Sequence, residues 1–241
     1  MSILYVVPTP IGNIKDITIR AKEVLEHTNT ILSEDTRMTR KLLSLLNIPV
    51  NKNFISFFEY NERQKTRYVL DLLKQGNDIA LVSDAGTPLL SDPGFPLIRE
   101  IRRLKKVDKE NFAEVKIEVL PGATSIATAL IASGFPTDKF TFLGFASHKP
   151  ADKKKLLKSI RKSSEHLKVT YIMFETQHRI LSTLNFMKEI LGKNVSVCLC
   201  RELTKLHESI EYGSVIEIIE LVEKKKIDMR GEIVLLFTTG I

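Results

Sequence analysis

Short runs of consecutive apolar residues, spaced along the chain, most limit what this polypeptide can fold into. They occupy Leu4–Val7, Thr30–Ser33, Phe54–Phe58, Ile79–Ser83, Lys116–Leu120, Phe140–Phe145, Val169–Phe174, Val195–Cys200 and Glu232–Phe237. Each is strand-sized, and most are continuous rather than alternating, the pattern of strands covered on both faces. Amphipathic stretches with helix punctuation lie between them. Thr36 is expected to cap a helix with Met38, Leu42 and Leu45 on one stripe and Arg37, Arg40 and Lys41 elsewhere. Glu62–Gln75 stops at Gly76, Ala123–Ser133 at Gly134 and His178–Leu191 at Gly192, while Pro96 opens a helix that turns Leu97, Ile101 and Leu104 inward. Alternating β and α elements predict an α/β architecture with largely parallel sheets. Nine strands are many for one sheet, so two α/β domains with a cleft between them are expected. The polar, aperiodic segment Lys105–Val115 is the expected linker, giving domains over residues 1–115 and 116–241.

Bulk properties narrow the function. A net charge of +7 favours a polyanionic partner such as nucleic acid. No apolar run approaches the roughly 20 residues that span a bilayer, and Met1-Ser2-Ile3-Leu4-Tyr5 lacks a basic leader, so a cytoplasmic protein without a membrane role is expected. Cys198 and Cys200 would share one face of a strand as small buried hydrophobes, and with no second ligand pair at suitable spacing no metal is expected.

Four loops follow strands and carry small, Pro- or Gly-rich residues, the place where open α/β sheets bind ligands. Pro8-Thr9-Pro10-Ile11-Gly12-Asn13 lacks the G-x-G-x-x-G order; its prolines would form a rigid wall or an ordinary strand-to-helix turn. Ser83–Gly94 exceeds the usual βα connection; Gly86 would let a ligand approach the backbone, and Asp84 would accept from it or cap the turn. Leu120–Ser125 opens a helix, with Thr124 and Ser125 either meeting a ligand or capping. Met173–Arg179 ends a strand, with Phe174 either facing a flat ring or joining the core. Walker A, G-x-S-x-G and H-E-x-x-H patterns are all missing, which weighs against kinase, hydrolase and zinc-protease readings.

Taken in order, Leu4–Asn13, Ser33-Glu34-Asp35-Thr36-Arg37, Ser83–Gly94, Pro121-Gly122, Phe142-Leu143-Gly144-Phe145, Glu175 with His178-Arg179, Cys200–Lys205 and Gly231-Glu232-Ile233 resemble the tetrapyrrole methylase superfamily, and within it the ribosomal RNA small-subunit methyltransferase I family. The resemblance spans nearly the whole chain. It departs from the common family pattern at Phe174-Glu175-Thr176-Gln177-His178-Arg179, where Tyr-Glu-Ser-Pro-His-Arg is usual, and at Ala146-Ser147, where Leu-Pro is usual. The resemblance implies a two-domain tetrapyrrole-methylase-like fold, a homodimer, and S-adenosylmethionine in an interdomain cleft. It also implies 2′-O-methylation of a cytidine in small-subunit ribosomal RNA, presented bare or in the assembled subunit. By position, the cofactor is expected to meet Pro10, Ile11, Gly12, Asp84, Gly86, Thr87, Leu90, Thr124, Ser125 and Phe174, with Gly231 and Glu232 closing the adenine side.

A sulfonium donor brings its own activated methyl group, so the protein must supply orientation and a fate for the ribose proton. Glu34 and Asp35 are candidate bases, although either could instead pair with Arg37 or Arg201; Arg37, Arg201 and Lys205 are candidates to steady the oxyanion or hold a phosphate. For RNA contact the candidates are Arg37, Arg40, Lys41, Lys149, Lys153, Lys154, Lys155, His178 and Arg179. The competing readings are a tetrapyrrole methylase acting on a uroporphyrinogen or precorrin, and a non-catalytic RNA-binding protein.

Overall fold

The computed structural model describes residues 1–164 and 168–239. The chain divides into two compact units, Met1–Thr124 and Ser125–Ile241. The first contains β1 (Ser2–Val7), α1 (Ile19–His27), β2 (Thr30–Ser33), α2 (Thr36–Leu45), β3 (Asn53–Ser56), α3 (Glu62–Lys74), β4 (Ile79–Val82), α4 (Phe95–Val107), α5 (Lys109–Phe112) and β5 (Val115–Val119). Its five strands pair entirely in parallel, in the order β3-β2-β4-β1-β5. Every residue of β2 and β4 is buried, as continuous apolar runs require when helices cover both faces. On one face Leu25, Leu43 and Ile48 pack with Val7, Ile31 and Ala80. On the other Val69, Leu73, Leu97, Ile101 and Phe112 pack with Leu4, Leu32 and Leu81.

That division positions the site. The helices after β1 and β2 cover one face, and those after β3 and β4 cover the other. Because β4 lies between β2 and β1, the chain leaves β4 toward the opposite face from both neighbours. Such reversals open a crevice at the carboxyl ends of the strands. The loops after β1, β2 and β4 therefore meet there.

The second unit contains α6 (Ser125–Ala132), β6 (Phe140–Phe145), α7 (Pro150–Ser164), β7 (Thr170–Glu175), α8 (Ile180–Ile190), β8 (Ser196–Arg201), β9 (Ser209–Ser214), α9 (Val215–Glu223) and β10 (Ile233–Thr238). The sheet order is β6-β7-β10-β8-β9, and only β6 and β7 pair in parallel. The expectation of largely parallel sheets thus holds for the first unit and fails for the second. A hairpin joins β8 to β9 and needs no crossover helix. The strand β9 escapes a search for apolar runs because Ser209-Ile210-Glu211-Tyr212 alternates along an edge. Cys198 and Cys200 are both buried on β8, their Sγ atoms 3.8 Å apart.

Other expectations need correction. The segment Lys105–Val115 is not a linker: it ends α4, forms α5 and begins β5, which pairs with β1. The division falls after Thr124 instead of at Val115. Asp35 caps α2, accepting from the Arg37 amide, in place of Thr36. The buried stripe of α2 is Thr39 and Leu43, while Met38 and Leu45 face solvent. A cap one residue earlier in the chain accompanies an inward face set by Thr39, whose hydroxyl bonds the Asp35 carbonyl.

Candidate functional site

In the first unit, loops after three strands are stitched into one ridge. Thr9 and Gly86 exchange backbone bonds, 2.8 Å from Thr9 N to the Gly86 oxygen and 3.1 Å in return. The Thr9 hydroxyl donates to the Ser83 carbonyl at 3.2 Å, and the Ser83 hydroxyl donates to the Gly86 carbonyl at 3.1 Å. Gly86 has φ +84°, and a Cβ there would stand 3.1 Å from Ile11 Cγ2. The positive φ favours glycine, and a Cβ would press on the Ile11 side chain. The Thr87 hydroxyl donates to the Ala123 carbonyl at 2.9 Å, tying in the loop after β5. Gly122 lies so close to Pro8 that a Cβ would approach its ring to 2.5 Å.

The far half of the Ser83–Gly94 loop is strained. Leu89 and Ser91 have φ of +71° and +75°, each at a cost of order 1–3 kcal/mol that the surroundings must offset. Glu62 accepts from the Gly94 amide at 2.8 Å, and Gly94 packs where a Cβ would meet Leu81 Cδ2 at 2.8 Å. This anchoring holds Asp92 near Glu34 and Asp84. Burial, then repulsion from Glu34 and Asp84, pushes Asp92 up to about 7 despite a hydrogen bond from Ser83. Glu34 and Asp84, both exposed, are raised chiefly by partial desolvation, Glu34 also by Asp84, Glu59 and Asp35.

In the second unit, Phe174 ends β7 with its ring 4.9 Å from Phe142 and 5.2 Å from Phe145, both edge-on. The next residue, Glu175, is buried, with Oε1 accepting from Lys153 Nζ at 3.1 Å and the Thr183 hydroxyl at 2.5 Å. Its Oε2 accepts from the Thr176 amide at 2.8 Å and pairs with Arg179 Nε at 3.3 Å. After β8, Glu202 and Thr204 have φ of +50° and +65°. Glu202 Oε1 accepts from the Glu232 amide at 2.8 Å and from Lys205 Nζ at 3.0 Å, and Lys205 also pairs with Glu232 at 3.0 Å. Gly231 passes so close to Glu202 that a side chain there would collide with it.

The profile of the Tetrapyrrole (Corrin/Porphyrin) Methylases matches residues 3–219. A ribosomal RNA small subunit methyltransferase I of Rickettsia prowazekii is 41% identical over 99% of this chain and 79% of its own length. The protein of that name from Mycoplasmopsis pulmonis is 38% identical over 98% of both chains. The chain belongs to the ribosomal RNA small-subunit methyltransferase I family. Among solved structures, the methyltransferase CobJ aligns over 98% of this chain and 92% of its own, with a TM-score of 0.65 and 17% identity. Diphthine synthase aligns over 98% and 90%, with a TM-score of 0.61 and 12% identity. These two share the fold.

Tetrapyrrole methylases take their methyl group from S-adenosylmethionine, and this family member is an S-adenosylmethionine-dependent methyltransferase. The ridge fits that donor chemically. Sulfonium and ammonium groups are cationic, and the first unit's strand ends present Glu34, Asp84 and Asp92 in a chain whose net charge is +7. Of the expected residues, Ile11, Gly86 and Thr87 meet in the ridge, and Thr87 bonds Ala123, which precedes Thr124 in the chain. Leu90 lies exposed on the strained half of the loop.

Several expected roles are displaced by structural ones. Asp35 is not free to act as a base: the Arg37 side chain and amide bond its carboxylate and hold it down at about 2. The Arg201 guanidinium is buried and committed to Ser209, the Arg230 carbonyl and the His207 carbonyl, so it cannot meet an oxyanion. Lys205 is held between Glu202 and Glu232. Lys153 faces Glu175 and Thr183 inside the unit and is no RNA contact. Lys154 pairs with Glu189, whereas Arg37, Arg40, Lys41, Lys149, Lys155 and His178 are exposed. Sequence reasoning passed over Asp92 and Glu175. Neither was given a role, although Asp92 lies in the long Ser83–Gly94 loop and Glu175 is among the residues that carry the family resemblance.

No helix among the described residues is long and apolar enough to cross a membrane.

Proposed function

We propose that this chain transfers the methyl group of S-adenosylmethionine to the ribose 2′-hydroxyl of a cytidine in small-subunit ribosomal RNA, as a cytoplasmic homodimer acting on the RNA or the assembled subunit. The observation that carries the reading is similarity over nearly the whole of this chain to relatives named ribosomal RNA small subunit methyltransferase I, at 38% and 41% identity. The first unit would hold the donor on the Pro10–Gly12 wall, the Gly86-Thr87 backbone and Leu90, with Asp84 facing positive charge. Thr124, Ser125, Phe174, Gly231 and Glu232 are proposed to complete its contacts. When bound, the donor supplies a methyl group on a sulfonium leaving group. The chain orients the hydroxyl in line and takes its proton, a task open to Asp92, pushed up to about 7, and to Glu34, raised by desolvation and by its acidic neighbours. The exposed cations of α2 and α7, with His178 and Arg179, would hold phosphates without reading sequence.

The test offers labelled S-adenosylmethionine with small ribosomal subunits from cells lacking the enzyme, and separately with uroporphyrinogen. Label in the subunits is expected. Label in the tetrapyrrole would replace this reading, and RNA binding without transfer or donor binding would favour a non-catalytic protein.

A further inference from the structure

At the carboxyl end of β6 the sheet register breaks. Phe140, Thr141 and Phe142 pair in sequence with Thr170, Tyr171 and Ile172, but Phe145 pairs with Phe174, leaving an irregularity between Phe142 and Phe145. Gly144 takes φ +68° within it. Bulges of this kind re-aim side chains and recur beside functional sites. Here the result is a three-ring group. Phe142 and Phe145 both set their edges against Phe174, and Phe145 remains 57% exposed. Its neighbour Ala146 is buried.

The bulge is held from behind. The Ala146 amide donates to the Phe174 carbonyl at 3.1 Å, and the Ala146 carbonyl accepts from Arg179 at 3.1 Å. Arg179 also reaches His148 Nδ1 at 2.9 Å, and is itself braced by the buried Glu175. Glu175 is locked by Lys153 and Thr183. One buried carboxylate thus fixes a cation beside the bulge. His148 and Lys149, next along the chain, are exposed, as are Lys155, Lys158 and Lys162 on the following helix.

We infer that Phe145 is a stacking platform for an unpaired base of the RNA substrate, with the exposed His148, held in place through Arg179, and the exposed Lys149 available for that nucleotide's backbone. This deepens the proposed function and rests on it. An accessible aromatic ring with exposed cations next along the chain is a combination with which proteins hold single-stranded nucleic acid. Stacking one base is worth ~1–3 kcal/mol, so the ring accounts for roughly a 5- to 150-fold range in affinity.

The probe is a short single-stranded RNA carrying a fluorophore, read by anisotropy, with a duplex of equal length as control and calorimetry of S-adenosylmethionine alongside. Phe145→Ala should weaken single-strand binding about 10-fold or more, leave the duplex and the donor unaffected, and be rescued by Phe145→Trp. Phe145→Leu keeps apolar bulk against Phe174 without a π-face and should stay weak. If Phe145→Leu binds like wild type, packing and not stacking is at work and the inference fails. Loss of donor affinity in Phe145→Ala, with RNA binding intact, would assign the ring to the cofactor and overturn it. Ring-dependent RNA binding by a protein that methylates no ribosomal RNA would leave the platform standing and remove the proposed function.

Discussion

The carboxyl edge of the parallel sheet gathers Glu34, Asp84 and Asp92, whose partial desolvation and mutual repulsion favour the protonated form. At the end of β7 in the mixed sheet, a lone carboxylate, Glu175, is instead bonded on both oxygens and paired with two cations. The first arrangement is crowded with like charge, and its Asp92 sits on a strained loop; the second is saturated and buried. Repelling carboxylates destabilise the fold and persist where a cationic ligand or a proton is to be accepted. A saturated ion pair builds rigidity, and removing one partner exposes its cost. The contrast separates a reactive edge from a bracing one within one chain.

The largest expected effect is on the bracing side. Glu175→Ala strands Lys153 in the interior and should destabilise the protein by about 3–5 kcal/mol, measured by denaturant unfolding. A loss below about 1 kcal/mol would mean that the pair is solvated in solution. Next comes Gly86→Arg. A side chain at φ +84° against Ile11 fills the backbone approach, and should weaken S-adenosylmethionine binding by about 100-fold or more, near 2.7 kcal/mol. Unchanged calorimetric affinity would remove the ridge from the cofactor site.

The reactive edge also has a pH signature. The folded value of Asp92, about 7, lies above the unfolded carboxylate value, so the folded state holds the proton more tightly and stability falls as pH rises across that window. Asp92→Asn should flatten this slope, gaining about 1 kcal/mol at pH 8 relative to pH 4 once solvent screening is allowed for. If Asp92 takes the ribose proton, transfer rises through about pH 7 in the wild type, and Asp92→Asn loses that limb. The smallest effect belongs to the exposed pair: Lys154→Met, which breaks the bond to Glu189, should change stability by less than about 1 kcal/mol.

Much of the first unit was legible in sequence because buried parallel strands write themselves as unbroken apolar runs, as in Ile79–Val82. The strand Ser209–Ser214 was not, since an edge strand needs little apolar content. The displaced boundary has a related cause: charged residues at Lys105–Val115 cover a surface helix and a strand start, and charge marks exposure there, not a domain junction. The ridge was readable because Pro and Gly fix backbone geometry locally. Arg201 and Lys153 were misread because a cation's partner, here the Arg230 carbonyl or Glu175, arrives from a distant part of the chain. Asp92 was missed for the same reason: its proton affinity depends on Glu34, which only the fold brings near.

Where the methyl group lands tests the account most directly. RNA labelled by this enzyme and digested with alkali is expected to retain its label in an alkali-resistant dinucleotide whose 5′ member is 2′-O-methylcytidine, because an O-methylated ribose lacks the hydroxyl that attacks the adjoining phosphate. Label released in mononucleotides, on a base, would contradict ribose methylation and with it the role given to the carboxylates of the first unit.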